Sequence, residues 1–258
     1  MTTLAQALPA SRSNEAGRRT LAVVKLHFVN RFQILYLPLI VLGAIFVLNL
    51  AIWWIIVEST GGVNSANRSS SHLGYSGAVS YIYVYGIVIA VQAISRTFPF
   101  SLGFGVTRRD FYLGSVIAFV GLSLGFAVVL TIMSSIEIAT NGWGLGGRMF
   151  APLFFTNSFW LLRFVMYFCA FLFLLFIGTA GATFYVRWRA TGLTIFFGII
   201  AIILLGAVAY FTLGHQWPAV GTWFDQSGPV GVTVWLLAPA AVCALAGYFV
   251  LRRATPKN

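Results

Sequence analysis

Charged side chains are scarce in this chain, and acidic ones are the scarcest. Only 8% of the 258 residues are charged, and five Asp or Glu residues stand against sixteen Lys or Arg residues. None of the five carboxylates falls in the middle of an apolar run. A proton-driven pump requires a titratable relay inside the membrane, so the sequence argues against this class of protein.

The usual catalytic and metal-binding patterns are also missing. The sequence has neither a GxxxxGK[ST] nor an HExxH motif, which argues against ATP hydrolysis by this chain itself. The three histidines, His27, His72 and His215, fall in separate segments, so no zinc or haem ligand set is expected. Cys169 and Cys243 lie in different apolar runs, which leaves a CxxC site or a disulfide framework without support. We therefore expect a non-enzymatic chain with no catalytic residue, metal or cofactor of its own.

Apolar residues dominate instead. They make up 59% of the chain, and the mean hydropathy is +0.90, whereas about a quarter of the residues of a soluble domain are charged. The sequence therefore predicts an integral membrane protein. The net charge of +11 does not indicate a nucleic-acid partner, because the basic residues flank apolar runs rather than forming one patch.

Six apolar runs are long enough to cross a hydrocarbon core of about 30 Å. They predict an all-α polytopic membrane protein with six transmembrane helices in a single permease-like domain, residues 1–258. An even number of crossings places both termini on the same side of the membrane. The predicted spans are residues 34–57, 78–98, 110–136, 159–185, 193–213 and 230–251.

Basic residues decide the predicted orientation. With the N terminus inside the cell, most Lys and Arg residues lie on the cytoplasmic side, as the positive-inside rule requires. Both termini are therefore expected to be cytoplasmic. Arg68, Arg148 and Arg163 are then at or near the outer face, and the cytoplasmic set is Arg12, Arg18, Arg19, Lys25, Arg31, Arg96, Arg108, Arg109, Arg187, Arg189, Arg252, Arg253 and Lys257.

Three loops are predicted at the outer face, at residues 58–77, 137–158 and 214–229. They are rich in glycine, serine and asparagine and carry three tryptophans that are typical of the membrane interface. The third loop also contains two prolines, so short re-entrant or interfacial helices are an alternative to an irregular loop there. The tryptophans are Trp143, Trp217 and Trp223, and the prolines are Pro218 and Pro229.

The N-terminal region is predicted to stay on the cytoplasmic surface. Residues 1–15 are polar, lack the apolar core of a signal peptide and are expected to form a tail. Residues 16–33 place Leu21, Val24 and Phe28 at helical spacing, which favours an amphipathic helix in the membrane interface. The alternative is a simple helical extension of the first span.

A compact basic turn separates the second and third spans. Pro99 is expected to end the preceding helix, and Gly103 to close a stub of about one turn in a left-handed conformation. Thr107 stands three residues before Asp110, a spacing that predicts a capped helix start close to Arg108. Arg108 and Arg109 are expected to face an anionic surface outside the membrane.

Some residues inside the spans carry structural signals. Gly114, Ala118, Gly121 and Gly125 share one face of span three, which predicts close helix packing. Asn49 and Gln92 lie inside spans one and two and are costly there. They are expected to hydrogen-bond across the bundle, with contact to a substrate in a pathway as the alternative.

Glu137 and Arg163 form a candidate gate. Glu137 ends span three and Arg163 lies about one turn into span four, both towards the outer face. They are expected either to pair over the outer end of a cavity or to remain two separately hydrated residues, because exposed ion pairs contribute little stability.

The basic segment before span one, the six spans and the turn at residues 98–112 resemble ABC-2-type (type V exporter-like) permease subunits of high-GC bacteria. The resemblance implies that this turn holds a coupling helix that docks into a groove of a separate ATPase subunit. Pro99, Phe100, Leu102 and Phe104 would fill that groove, Arg108 and Arg109 would meet its acidic rim, and Arg187 and Arg189 would make a second contact.

This resemblance implies the permease subunit of an ATP-driven exporter in the bacterial cytoplasmic membrane. ATP and Mg²⁺ would bind to the partner ATPase subunits, and a second permease copy or a related chain would complete the pathway among membrane lipids. The abundance of aromatic residues suits hydrophobic drugs, peptides or lipids as substrates. The alternatives are a non-transport scaffold, sensor or immunity protein, or a secondary carrier.

Overall fold

The computed structural model describes residues 9–64, 76–151 and 159–253, with side chains from residue 17 onward. The described residues form helices and no β-strand, so the predicted all-α class is confirmed. Two short π-helical segments, Phe32–Tyr36 and Gly142–Gly146, accompany the main helices. The main helices are α1 (Pro9–His27), α2 (Leu37–Ser59), α3 (Ser80–Gly103), α4 (Arg108–Ala139), α5 (Trp160–Leu213), α6 (Trp217–Trp235) and α7 (Leu237–Arg252).

Five helical segments in the described residues are long and apolar enough to cross a membrane. They give this chain the character of a multi-pass membrane protein. The segments are Phe32–Ser59, Gly77–Gly103, Arg108–Ala139, Trp160–Leu213 and Trp217–Arg252.

The helix α5 accounts for the difference between five segments and six predicted spans. Its 54 residues would extend about 81 Å as a straight helix, far beyond a hydrocarbon core of about 30 Å. Arg189 breaks it with φ 59° and ψ −139°, and the rings of Phe184 and Phe196 then lie 5.4 Å apart. In a straight helix these two residues would be about 18 Å apart. The chain therefore folds back at Arg189 into two arms, α5a (residues 160–188) and α5b (residues 190–213).

The N-terminal helix starts earlier and ends sooner than predicted. It begins at Pro9, inside the stretch predicted as a tail, and ends at His27 rather than at residue 33. The Asn30 side chain accepts a hydrogen bond from the backbone N–H of Gln33 at 3.3 Å, which starts a new helical segment leading into α2. The helix α1 is therefore separate from the first long apolar helix and not an extension of it.

The helix α1 packs directly against α4. Val23 is 1% exposed, and a Cβ atom at Gly114 would lie 2.6 Å from the Cβ atom of Val23 and 2.9 Å from the carbonyl oxygen of Thr20. Only glycine permits so close an approach of the two helices. At the end of α1, the His27 imidazole is buried between the rings of Phe111 and Phe119, at centroid distances of 5.8 and 5.7 Å.

The predicted packing face of α4 is used only in part. Gly114 and Ala118 are buried, but Gly121 and Gly125 are exposed, and a Cβ atom at either would meet nothing within 4 Å. The reason is that α1 ends beside the first turns of α4 and leaves the rest of this face uncovered. Within this chain, Gly114 and Ala118 are therefore packed as predicted, whereas packing at Gly121 and Gly125 stays a prediction.

The helix α4 contacts α1, α3, α5 and α7, and aromatic side chains fill the space around it. Phe126 of α4 stacks on Phe171 of α5a with a centroid distance of 5.2 Å, and Phe98 of α3 packs on Phe111 at 5.3 Å. The Tyr112 hydroxyl donates to the carbonyl oxygen of Ala244 in α7. These contacts make α4 the centre of the bundle.

Three connections meet at one end of the bundle, which we call the basic end. The Arg108 guanidinium donates to the carbonyl oxygen of Arg252 at 3.0 Å, which brings the start of α4 to the end of α7. Arg187, just before the reversal in α5, lines a small cavity with Arg253. The other end of the bundle carries the loop of residues 140–151, which we call the 140–151 loop.

The predicted third outer loop is largely helical. Helix α6 starts at Trp217 and is interrupted at Gly228, which has φ 61° and precedes Pro229. Its side chains are exposed or partly exposed, and Trp223 contacts Trp235 with a ring-centroid distance of 6.2 Å. The proline-bearing loop thus adopts the helical alternative that its sequence allowed.

The contact between α1 and α4 predicts different outcomes for two glycine substitutions in α4. Gly114→Ala places a methyl group against Val23 and should destabilise the folded protein by about 1–3 kcal/mol through overpacking. Gly121→Ala meets open space and should be neutral or stabilising by up to about 1 kcal/mol, because alanine favours helix. Thermal unfolding of both variants in detergent tests this difference. Equal melting temperatures would show that α1 does not press on Gly114.

The buried histidine predicts that α1 loosens in acid. Burial lowers the pKa of His27 below its usual range, although the backbone carbonyl of Val23 opposes the shift. The folded state therefore binds fewer protons than the undocked state below a pH of about 6.5. Docking should be complete above that pH and weaken as the pH falls through it, which hydrogen exchange of residues 17–27 measures. His27→Phe should remove the pH dependence; retention of the dependence would contradict this assignment.

Candidate functional site

The turn between α3 and α4 has a different backbone from the predicted one. Helix α3 continues through Pro99 to Gly103, so Pro99 lies inside the helix rather than ending it. The Ser101 hydroxyl donates to the carbonyl oxygen of Phe98 at 2.8 Å, and both residues are fully buried in the bundle. This packing holds the last turn of α3 despite the missing N–H of proline. Gly105 takes the left-handed conformation, with φ 74°, that was expected of Gly103.

The predicted start of α4 is confirmed. The Thr107 hydroxyl accepts a hydrogen bond from the backbone N–H of Asp110 at 3.1 Å, and the helix begins at Arg108. Asp110 lies in the first turn, where a negative charge favours the helix. Only four residues, 104–107, therefore connect the end of α3 to the capped start of α4.

This turn presents an exposed aromatic pair. The side chains of Phe100 and Phe104 are 55% and 73% exposed, and their ring centroids lie 4.7 Å apart. Pro99 is exposed beside them, whereas Leu102 is partly buried and packs against the core. Of the four residues predicted to fill a partner's groove, three therefore face outward and Leu102 faces the bundle.

Basic residues flank the aromatic pair along the chain, and other helices carry further basic residues at the same end of the bundle. Arg96 and Arg109 are exposed on the two sides of the turn, and Arg108 is tied to the end of α7. At the reversal in α5, the Arg187 guanidinium lies 4.3 Å from the centroid of the Trp188 ring, a cation–π contact. Arg189 supplies the backbone reversal itself, in the turn predicted between the fourth and fifth spans.

A buried carboxylate organises the other end of the bundle. Glu137 is 1% exposed, and its oxygens accept hydrogen bonds from three consecutive backbone N–H groups and from an indole. The distances are 2.9 Å from Met149, 3.0 Å from Phe150, 2.8 Å from Ala151 and 3.2 Å from the Trp143 Nε1. Glu137 therefore holds the 140–151 loop against the end of α4.

Backbone conformation allows the 140–151 loop to fold around Glu137. Asn141 and Trp143 have positive φ values of 49° and 61°, which turn the chain back on itself. A Cβ atom at Gly147 would lie 2.2 Å from the Trp53 ring, so only glycine lets the loop pass beneath this side chain of α2. The ring of Phe46 also contacts Trp143 and Phe150, with centroid distances of 4.7 and 5.5 Å.

The other predicted gate residue lies close to this carboxylate. Arg163 is 7% exposed, and its guanidinium donates to the Ser135 hydroxyl at 3.1 Å, two residues before Glu137. Tyr167, one turn further along α5a, donates to the carbonyl oxygen of Phe150 at 2.7 Å. Both predicted residues are thus buried in one polar cluster, so the alternative of two separately hydrated residues is wrong.

Asn49 and Gln92 both make hydrogen bonds between segments. The Ser76 hydroxyl donates to the Asn49 side-chain oxygen at 2.8 Å, and the Gln33 amide donates to the Gln92 oxygen at 3.0 Å. These bonds join α2 to the start of the second apolar segment and the segment before α2 to α3. A role of either amide in a pathway stays a prediction.

No described group of three or more His, Cys, Asp or Glu residues could hold a metal ion. A GxSxG pattern does occur at residues 121–125, but it lies in the middle of α4 with Ser123 fully buried. The hydrolase use of this pattern needs a strained strand-to-helix turn that exposes the serine. The pattern is therefore part of a helix and not a nucleophile site.

The chain matches no protein-family model, no curated protein and no solved structure. Function must therefore be argued from the two ends of the bundle themselves. Sequence reasoning found Glu137 but missed the amides that bind it, because backbone donors carry no side-chain signal. The glycine run at residues 142–147 was the available hint.

The carboxylate of Glu137 predicts a large effect of an isosteric substitution. Glu137→Gln replaces one acceptor oxygen with a donor that faces backbone N–H groups, so the folded protein should lose about 2–4 kcal/mol. Glu58→Gln is the matched control, because Glu58 is exposed at the end of α2, and it should change stability by less than about 0.5 kcal/mol. Thermal unfolding in detergent measures both. A wild-type melting temperature for Glu137→Gln would contradict the structural role of this carboxylate.

Proposed function

We propose that this chain is the permease subunit of an ATP-driven exporter and that a separate ATPase subunit binds it at the α3–α4 turn. The observation that carries the proposal is the exposed Phe100–Phe104 pair on a short, capped turn. Large aromatic side chains are the usual anchors of protein interfaces when they enter a partner's pocket. The turn is short and ends in a capped helix start, which limits the conformations to be ordered on binding and so lowers its entropic cost.

The proposal requires six crossings with the basic end in the cytoplasm. The reversal at Arg189 supports the sixth crossing, since it divides a helix that is too long for one passage. The orientation is supported by the exposed or converging cations at the basic end, among them Arg96, Arg109 and Arg253, because positive charge favours the cytoplasmic side. An acidic rim on the partner would complement the same cations.

The arrangement of α4 supports a mechanical role for the turn. Its 32 residues extend over about 48 Å, from the capped start next to the aromatic pair to the Glu137 cluster at the other end. A movement imposed on the turn by ATPase subunits that close on ATP would therefore be passed along one rigid helix. In the proposed complex, a second permease copy or a related chain completes the pathway, and the bundle alternates between two access states.

Substrate choice is the least constrained part of the proposal. The abundance of aromatic residues in the chain suits a hydrophobic drug, peptide or lipid. The chain supplies no ATP site of its own in this scheme, so transport depends on the nucleotide bound to the partner.

Affinity purification tests the ATPase partner directly. The tagged chain is extracted from native membranes in mild detergent, and bound proteins are identified by mass spectrometry, with a Walker A ATPase as the expected partner. Combined replacement of Phe100→Ala and Arg109→Glu should reduce its recovery by at least about tenfold, since interface anchors contribute about 2 kcal/mol or more each.

The matched control removes an equally exposed aromatic ring from the other end of the bundle. Phe159 is 62% exposed, and Phe159→Ala should leave recovery of the ATPase unchanged. If the combined Phe100→Ala and Arg109→Glu variant keeps both the ATPase complex and ATP-dependent transport, the proposal is wrong. Absence of any ATPase from the wild-type preparation would favour a scaffold, sensor or immunity protein.

A further inference from the structure

A lateral cavity lies between the end of α1, α3 and α4. Its volume is about 390 Å³, and it shares Phe100 with the aromatic turn but no residue with the Glu137 cluster. One wall is formed by the break between α1 and the segment before α2, residues 26–34, and another by Ala118, Phe119 and Leu122 of α4. We call this space the lateral cavity.

The shape of the lateral cavity follows one face of α3. The lining residues of this helix recur at intervals of three and four over sixteen residues, and the first and last of them lie about 22 Å apart along the helix axis. The space is therefore long and narrow. Its α3 lining is Tyr85, Val88, Ile89, Gln92, Ala93, Arg96, Thr97 and Phe100.

The lateral cavity opens onto the outside of the bundle. Val29 and Val88, on opposite walls, are 75% and 41% exposed. Val88 belongs to Gly77–Gly103, a segment long and apolar enough to cross a membrane, so we expect the opening to face lipid. An apolar, elongated space with this access suits a hydrocarbon chain.

Most polar side chains that line the lateral cavity already have a hydrogen-bond partner. The Gln33 amide donates to Gln92 at 3.0 Å, and the Tyr85 hydroxyl donates to the Gln33 carbonyl oxygen at 2.8 Å. The His27 imidazole is engaged by Val23 and Ser115 at 3.0 and 3.2 Å. Among the described residues, none accepts a hydrogen bond from, or forms an ion pair with, the charged group of this lining, the exposed guanidinium of Arg96.

We propose that the lateral cavity binds an anionic membrane phospholipid, with an acyl chain along α3 and the phosphate on the Arg96 guanidinium. Arg96 lies two turns before the end of α3 at the basic end, at the depth expected of a headgroup when the basic end faces the membrane surface. A guanidinium binds phosphate with two parallel hydrogen bonds. This inference does not rest on the transporter function, because it needs only the cavity and its charge.

The occupied cavity would connect lipid to the position of α1. Residues 28–30 line it and follow directly on His27, whose side chain docks α1 on α4. A bound lipid would fill the space beneath this break and hold α1 in place. Lipid composition would then control how firmly the N-terminal helix is docked.

Native mass spectrometry of the delipidated full-length chain tests the proposal. Dioleoyl phosphatidylglycerol and dioleoyl phosphatidylcholine have the same acyl chains and differ in net charge, so they separate the headgroup from the tail. The wild-type chain should bind phosphatidylglycerol about five- to tenfold more tightly than phosphatidylcholine. Arg96→Gln should abolish this preference, and Arg253→Gln, which removes an exposed cation outside the lateral cavity, should preserve it.

A second variant tests the position of the acyl chain. Val88→Trp fills the partly exposed wall of the lateral cavity without entering the core and should reduce binding of both lipids. Equal binding of the two lipids by the wild-type chain, or an unchanged preference in Arg96→Gln, would overturn the proposal. If millimolar inorganic phosphate displaces bound phosphatidylglycerol as effectively as added lipid does, the proposal is also wrong, because the site would then recognise a free anion.

Discussion

Hydrogen bonds fix both ends of α4, the helix on which α1, α3, α5 and α7 pack. The Thr107 hydroxyl caps its first turn, and the Glu137 carboxylate binds the backbone of the 140–151 loop at its last turn. A buried carboxylate at a helix C terminus is unfavourable on its own, because of both desolvation and the helix dipole. Three amides and an indole offset that cost, so removal of the charge would leave several donors without an acceptor.

Around this helix the bundle uses two different kinds of contact. Near the basic end, α1 approaches so closely that a side chain at Gly114 has no room. Further along, the same face carries the exposed Gly121 and Gly125 and borders the lateral cavity. One face of α4 therefore packs tightly against α1 near its start and is uncovered further along. The break in the chain after His27 determines where the tight packing ends.

The proposed coupling turn and the proposed lipid site are neighbours. Phe100 belongs to the exposed aromatic pair and also lines the lateral cavity. The packing of α1 on α4 lies on the other side of the same cavity. In this arrangement a partner at the turn, a lipid in the cavity and the docking of α1 would influence one another through contacts between adjacent residues.

Composition and periodicity by themselves determined the helical class, the membrane character, the capped start at Arg108 and the reversal between the fourth and fifth predicted spans. These features depend on neighbours along the chain or on total apolar content, which a sequence displays directly. Tertiary structure alone decided that α3 continues through Pro99, that Gly121 and Gly125 face outward, and that Glu137 binds amides twelve to fourteen residues away. Each of these features depends on which other segment of the chain packs against the residue in the folded bundle. The periodicity of apolar residues in the sequence does not specify that segment.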